Sequence, residues 1–294
     1  MPLRIAYDPI YVHPLPEGHR FPMEKYELIP AQLRYEGTAT EGHFFSPTPA
    51  TEDDILRTHT ADYWQRLRTL TLTRQEERRT GFPLSARLVA REVAIAGGTL
   101  ACARWALAHG AALNVAGGTH HAYAARGEGF CLLNDQAMAA HMLLAEGLAR
   151  RIVIIDLDVH QGNGTAHIFE GHPAVFTFSM HGEANYPSPK ERSSLDVGLP
   201  TGTTDGAYMA LLRAHLPKIL HEFRPDFAFY LAGADVLATD RLGKLALTRA
   251  GAAARDEYVF TTLHAAGLPV VTCMGGGYCP RLADIVDAHC ATFR

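Results

Sequence analysis

From about residue 85 the chain alternates between short apolar runs and longer helical stretches, and this alternation restricts the fold more than any other feature. Ser85 stands where it can cap a helix running to about Ala108 and ended by Gly110, and 111–116 follows as an apolar strand. The unit then repeats as a helix over 136–148 capped by Asn134 or Asp135, a strand over 152–157, a short helix after Gly162 and a strand over 174–179. Asp205 is placed to cap a helix over 206–223 before a strand at 227–231. Thr248 is placed to cap a helix over 249–266 before a strand at 268–274, and a last helix starts at Arg281. Strands joined by helices pair in parallel through right-handed crossovers, so the expected fold class is α/β with a mostly parallel sheet between helical layers.

Residues 10–84 read differently, rich in Pro, His and Gly, with short helical pieces at 23–34 and 52–70. They are expected to be loops and helices folded onto one end of the sheet, which leaves 1–294 as a single domain with 85–294 as its β/α core. A chain of 294 residues with 47% hydrophobic and 20% charged residues can bury a core of that size.

Composition also excludes several function classes. The formal net charge is −4, too small and of the wrong sign to draw the protein to nucleic acid or an anionic membrane. The basic run Arg74 to Arg79 is split by Glu76 and Glu77 and reads as a solvated surface. The five cysteines form no CxxC pair, as expected of small buried residues in a reducing compartment. The start of the chain lacks the features of a signal peptide, and no stretch reaches the roughly 18 apolar residues of a membrane span. The expected compartment is the cytoplasm.

In an open parallel sheet, ligands bind beyond the carboxyl ends of the strands. Here those ends carry Gly117-Gly118-Thr119-His120-His121, Asp156-Leu157-Asp158-Val159-His160, Ser179-Met180-His181, Ala232-Gly233-Ala234-Asp235 and Gly275-Gly276-Gly277-Tyr278. A tandem histidine alone is a polar turn and a GGGY alone a flexible one. Five strands delivering such residues to one edge make a site. Asp158, His160 and Asp235 can provide three metal ligands and leave a position open, as catalytic zinc sites do. His120 and His121 offer imidazoles for acid–base work, Asp156 is spaced to orient a histidine, and Tyr278 can donate its hydroxyl to an oxyanion.

The segments GGTHH, GFCLLND, IIDLDVHQGNGT, FSMH, AGADVL and GGGY, in this order, resemble the zinc-dependent histone deacetylases of the arginase–deacetylase superfamily. GHRFPMEKY and DRLGKLALT resemble the class IV branch and its bacterial relatives. The resemblance implies a three-layer α/β/α fold with a roughly eight-stranded sheet. It implies Zn²⁺ on Asp158, His160 and Asp235, with Fe²⁺ or Co²⁺ suited to the same donors. His121 is then the general base, His120 is paired with Asp156, and Tyr278 is the oxyanion donor. A structural K⁺ is implied at Asp156, Asp158, His160, Ser179 and Met180. Phe130, Tyr186, Leu242 and Gly276 are implied to line the acyl-lysine tunnel.

Class I enzymes carry an acid where this chain has Asn163, three residues past His160. An amide orients a ring without stabilising imidazolium, so a lowered His121 pKa is expected.

The expected reaction is removal of acetyl or longer acyl groups from lysine in a protein or peptide. Leu242, beside Arg241 at the expected tunnel mouth, offers a cationic acetylpolyamine little attraction and makes that substrate the alternative. A two-manganese ureohydrolase needs further bridging carboxylates, whereas Gln161-Gly162-Asn163 and Val236-Leu237 stand at those places. A silent acyl-lysine-binding module is the remaining reading. The oligomeric state is not legible.

Overall fold

A computed structural model describes residues 3–294. The amino-terminal third contains β1 (Ile5–Ala6), α1 (Lys25–Tyr35), β2 (Phe44–Phe45), α2 (Glu52–Leu56), α3 (Ala61–Arg68) and α4 (Arg74–Thr80). The alternating part follows as α5 (Ala86–His109), β3 (Ala111–Asn114), α6 (Asp135–Ala145), β4 (Ile152–Asp156), α7 (Asn163–Ile168), β5 (Val175–Gly182) and β6 (Leu195–Leu199). It continues with α8 (Asp205–Phe223), β7 (Phe227–Ala232), α9 (Arg249–Ala265), β8 (Val270–Met274) and α10 (Leu282–Phe293). Among the described residues no helix is long and apolar enough to cross a membrane.

The strands form one eight-stranded sheet in the order β2-β1-β3-β8-β7-β4-β5-β6, and every pair is parallel. After β3 the chain skips two strand positions to β4, runs outward through β5 and β6, and returns to fill the gap with β7 and β8. The order therefore reverses around β4, β7 and β8, which puts a crevice at their carboxyl ends. Side chains of the central strands alternate between two cores. Ile152, Ile154, Phe227, Phe229 and Leu231 pack on one face, and Val153, Ile155, Ala228 and Tyr230 on the other. Both faces are covered, so these strands read as continuous apolar runs and polar residues appear only where they end.

Local chemistry sets the helix ends. The hydroxyl of Ser85 accepts from Leu88 N–H, Asn134 from Ala137 N–H and Thr248 from Gly251 N–H, each cap contributing about 1 kcal/mol. Two expectations change. Asp205 is the first residue of α8 and not its cap. Its carboxylate accepts from the backbone and hydroxyl of Thr248, tying the start of α8 to the start of α9. The stretch expected as one helical piece over 52–70 is broken, because Thr60 adopts extended backbone and caps α3 through Tyr63 N–H. The exposed edge strand β6 was not foreseen, since Leu195-Asp196-Val197-Gly198-Leu199 is too short and polar to stand out. In the amino-terminal third, α1 packs on α10.

Candidate active site

Asp156 ends β4, Asp158 and His160 follow in the loop to α7, and Asp235 lies just beyond β7, the neighbouring strand. Ligand atoms of Asp158, His160 and Asp235 all lie within 4.8 Å of one another, and all three residues are buried. Nδ1 of His160 is 3.1 Å from Oδ1 of Asp158 and 3.1 Å from Oδ2 of Asp235. Backbone donors fix both carboxylates: Val159 N–H donates to Asp235 Oδ1 (3.0 Å), His160 N–H to Asp158 Oδ1 (2.9 Å) and Gly276 N–H to Asp158 Oδ2 (2.6 Å). Gly276 has no room for a side chain, because a Cβ there would run into the Asp235 carboxylate.

Burial opposes a charge on His160, yet the two carboxylates hold its pKa up at about 10. Burial, with repulsion from Asp158, pushes Asp235 up to about 7. Two buried carboxylates this close favour a positive charge shared between them. The buried ammonium of Lys25 does not fill that place, since it donates to Gly275 O at 3.1 Å. Two carboxylates and one imidazole in a closed site fit a divalent cation.

The tandem histidines have unequal partners. His120 Nδ1 lies 2.7 Å from Asp156 Oδ2, and His121 Nδ1 lies 2.6 Å from Asn163 Oδ1. Burial works against charging His120, but Asp156 prevails and raises its pKa. For His121, burial and then the charges of His120 and His160 lower the pKa well below the ordinary histidine value. The two rings are thus shifted in opposite directions, with centroids 4.1 Å apart.

Tyr278 completes the ring of polar groups. Its backbone N–H donates to Asp240 Oδ2 at 2.6 Å, and the other Asp240 oxygen accepts from Leu242 and Gly243 N–H at 2.8 Å each. Burial, then the charges of Asp235 and Asp158, raise the pKa of its hydroxyl well above the ordinary value, so it stays a donor. A small pocket of about 40 Å³ is lined by His120, His121, Asp158, His160, Phe130 and Tyr278, with Gly276 in its wall. Beyond Tyr278 lies a groove of about 810 Å³ between residues 12–24 and Arg241 and Leu242.

The histone deacetylase domain matches residues 19–293 of this sequence. The chain belongs to the histone deacetylase family. It is 47% identical over 285 residues to an uncharacterized protein of Picosynechococcus sp., covering 97% of this chain and 95% of that protein. It is 31% identical over 277 residues to Histone deacetylase 2 of Arabidopsis thaliana, covering 91% of this chain and 72% of that one. A crystal structure of a histone deacetylase homolog complexed with SAHA has the same fold, with a TM-score of 0.87 at 24% identity over 100% of this chain and 83% of that one. Membership makes the chain a deacetylase, a hydrolase of the arginase–deacetylase fold.

In this deacetylase His120, His121, Phe130, Asp158, His160, Gly276 and Tyr278 line one pocket, with Asp156, Asn163 and Asp235 hydrogen-bonded behind them. Ser179 is the cross-strand partner of Asp156, its hydroxyl 2.9 Å from His181 Nδ1, and Met180 is buried beside it. Phe130 and Tyr278 have centroids 6.0 Å apart, and the Tyr186 ring meets His121 edge-on at 5.1 Å. Leu242 lies apart from these residues. It lines the outer groove, and its carbonyl accepts from Asn185.

Several groups were missed in the sequence. Lys25 is buried against the Tyr278 ring, its pKa pulled down to about 8 by burial. Asp240 fixes two loops, and the Asp followed by Gly three positions later was a turn signal that could have found it. Arg255 donates to the carbonyls of Leu157 (3.1 Å) and Gly233 (2.8 Å), bracing the ends of β4 and β7 from below. Glu128 stands behind Asn163. Lys25, Arg255 and Glu128 carried no local signal.

Proposed function

We propose that the chain is a metal-dependent amidohydrolase that removes acetyl groups from lysine side chains of a protein or peptide. The observation that carries this reading is the convergence of neutral His121, the hydroxyl of Tyr278 and the Asp158–His160–Asp235 cluster on one small pocket. Asp158, His160 and Asp235 would hold the cation, Zn²⁺ or Fe²⁺. Once bound, such an ion supplies a Lewis acid for the amide carbonyl and lowers the pKa of a water.

The remaining roles belong to side chains. His121, neutral and held through Nδ1, takes the proton of the attacking water on Nε2 and returns it to the leaving amine. His120, paired with Asp156, stands beside that ring and opposes its protonation. Tyr278 donates to the carbonyl oxygen as negative charge develops there. We further assign a structural K⁺ to Asp156, Asp158, His160, Ser179 and Met180, which crowd the ends of β4 and β5. GHRFPMEKY and DRLGKLALT support a class IV reading of the branch.

Phe130 and Tyr186 would flank the lysine stem. The pocket is small, with Phe21 and Phe130 in its wall, which favours an acetyl group over a longer acyl chain. A second reading, an acylpolyamine substrate, is favoured by Glu17 and Glu24 in the groove wall and opposed by Arg20 and Arg241 in the same wall. Turnover of acetyl-lysine peptides, longer acyl-lysine peptides and acetylpolyamines by enzyme of defined metal content tests the proposal, with Tyr278→Phe and His121→Ala as controls. Acetyl-lysine peptide is expected to give the highest kcat/KM. Higher values for an acetylpolyamine would replace the substrate, and bound metal without turnover of any acyl amide would replace the enzyme reading with a binding module.

A further inference from the structure

Behind His121 lies a set of contacts that the reaction just described does not use. Asn163 has two chemically different ends. Its Oδ1 accepts from His121 Nδ1, and its Nδ2 donates to Glu128 Oε1 at 3.1 Å and to the Tyr123 hydroxyl at 3.0 Å. The Tyr123 hydroxyl in turn donates to Glu191 Oε1 at 3.0 Å. Glu128 Oε1 also accepts the hydroxyl of Tyr186, and Arg126 Nε donates to Glu128 Oε2 at 3.3 Å. One carboxylate therefore touches both the residue that holds the His121 ring and the tyrosine that packs against it.

The backbone places Glu128 there. Glu128 and Cys131 exchange two backbone hydrogen bonds of 2.9 Å around Gly129 (φ 55°) and Phe130 (φ 68°). Both central residues are left-handed, as in a type I′ turn, which glycine adopts freely and phenylalanine does not. A Cβ on Gly129 would approach the His121 ring to 2.6 Å. The turn is thus folded directly against His121, with Phe130 toward the pocket and Glu128 toward Asn163.

The need for such a group follows from the chemistry of an amide. A carboxylate at position 163 would offer two equivalent acceptors and could not be turned the wrong way. An amide can. Rotated by half a turn, Asn163 would present its NH₂ to His121 Nδ1, which must then accept, and the ring proton would move to Nε2. The nitrogen that faces the pocket would then have no lone pair for a proton. Glu128 accepts and never donates while ionised, so it holds the amide the productive way round.

We propose that Glu128 is a positioning residue for His121: it fixes the Asn163 amide so that the pocket-facing nitrogen stays free, and it anchors Tyr186 beside the same ring. This inference rests on the reading of His121 as the base, and the tests separate the two.

Glu128→Leu removes the carboxylate acceptor and leaves the amide the Tyr123 hydroxyl, which can donate as well as accept and so does not fix its orientation. The variant is expected to lower kcat on the order of 10- to 100-fold. Glu128→Leu combined with Asn163→Asp is expected to regain most of that loss, because a carboxylate needs no orienting partner. Tyr186→Phe, which frees the wall but leaves the amide held, is expected to raise KM and to keep the His121 tautomer of the wild type. Long-range ¹⁵N NMR of the full chain, with the His121 signals identified by His121→Ala, is expected to show the proton on Nδ1 in the wild type and at least partly on Nε2 in Glu128→Leu. The inference is overturned if Glu128→Leu keeps the Nδ1–H tautomer, or if Asn163→Asp restores nothing in a Glu128→Leu protein that still melts cooperatively. The tautomer readout decides the role of Glu128 even where no acyl amide is turned over. Undiminished turnover by His121→Ala would instead remove the base assignment.

Discussion

Asp156 Oδ2 lies 2.7 Å from His120 Nδ1, and this one contact divides the labour of the tandem histidines. Both rings are buried against the same pocket, so burial alone would make both neutral. The carboxylate works against this for His120, whose pKa it raises, and has no counterpart beside His121, whose pKa stays low.

Replacing Asp156 with Asn keeps the shape and removes the charge. We expect kcat to fall on the order of 10²-fold, the scale of a disabled acid–base partner. The pH–rate limb that reports His121 should move upward, because His120 then carries less positive charge to oppose protonation next door. Steady-state kinetics across pH check both effects, and an unshifted limb would break the link between the two rings.

The amide at position 163 gives a prediction of opposite construction. Burial, followed by the charges of His120 and His160, holds the His121 pKa down, and Asn163 does nothing to stabilise the imidazolium. The kcat/KM of the wild type is therefore expected to hold to lower pH than that of Asn163→Asp, whose new carboxylate favours the protonated ring. An acidic limb at the same pH in both proteins would contradict the assignment of that limb to His121.

Gly276 tests the proposed metal site from its backbone side. A Cβ there would meet the Asp235 carboxylate and come within 3.0 Å of the Tyr278 ring. Gly276→Ala is expected to lose metal in elemental analysis and turnover with it, at a stability cost of about 1–3 kcal/mol for the overpacked site. Stripping the wild type with a chelator should abolish turnover in the same way and lower Tm, since binding to the folded state alone stabilises it. Full metal content in Gly276→Ala would show that Asp235 can move without loss.

Buried neutral histidines predict the acid limit of the fold. Burial lowers the pKa of His59 and of His181 to about 4 in each case. Below the unfolded pKa of about 6.5 the unfolded chain binds protons that these rings refuse, so stability falls with pH through the window from about 6.5 to 4. At pH 5 each contributes a loss on the order of 1–2 kcal/mol. His120, whose pKa is raised, opposes this trend, because its contribution is full below about 6.5 and fades only at higher pH. Thermal melts between pH 7 and 5 should show Tm dropping, and a flat Tm would mean that these rings accept protons in place.

The alternation of apolar runs with capped helices was legible because burial on both faces of a parallel sheet leaves little room for polar residues except at the strand ends. The cluster Asp158, His160, Asp235, His120, His121 and Tyr278 was legible for the same reason: each member sits at the end of a strand, and strand order does not alter which edge that is. The strands β2 and β6 at the sheet edges were not, since an exposed edge imposes little pattern on so few residues. Nor were Lys25, Glu128 and Arg255. Lys25 comes from the first helix, Glu128 from a turn folded over His121, and Arg255 from a helix beneath the strand ends. Their sequence neighbours say nothing of what they touch.

The sequence by itself determined the chemistry available at the edge of the sheet, because strand ends are fixed by local pattern. Only the tertiary structure decided which way the Asn163 amide points, what stands behind it and what braces the strand ends, because hydrogen bonds between segments distant in the chain set those properties.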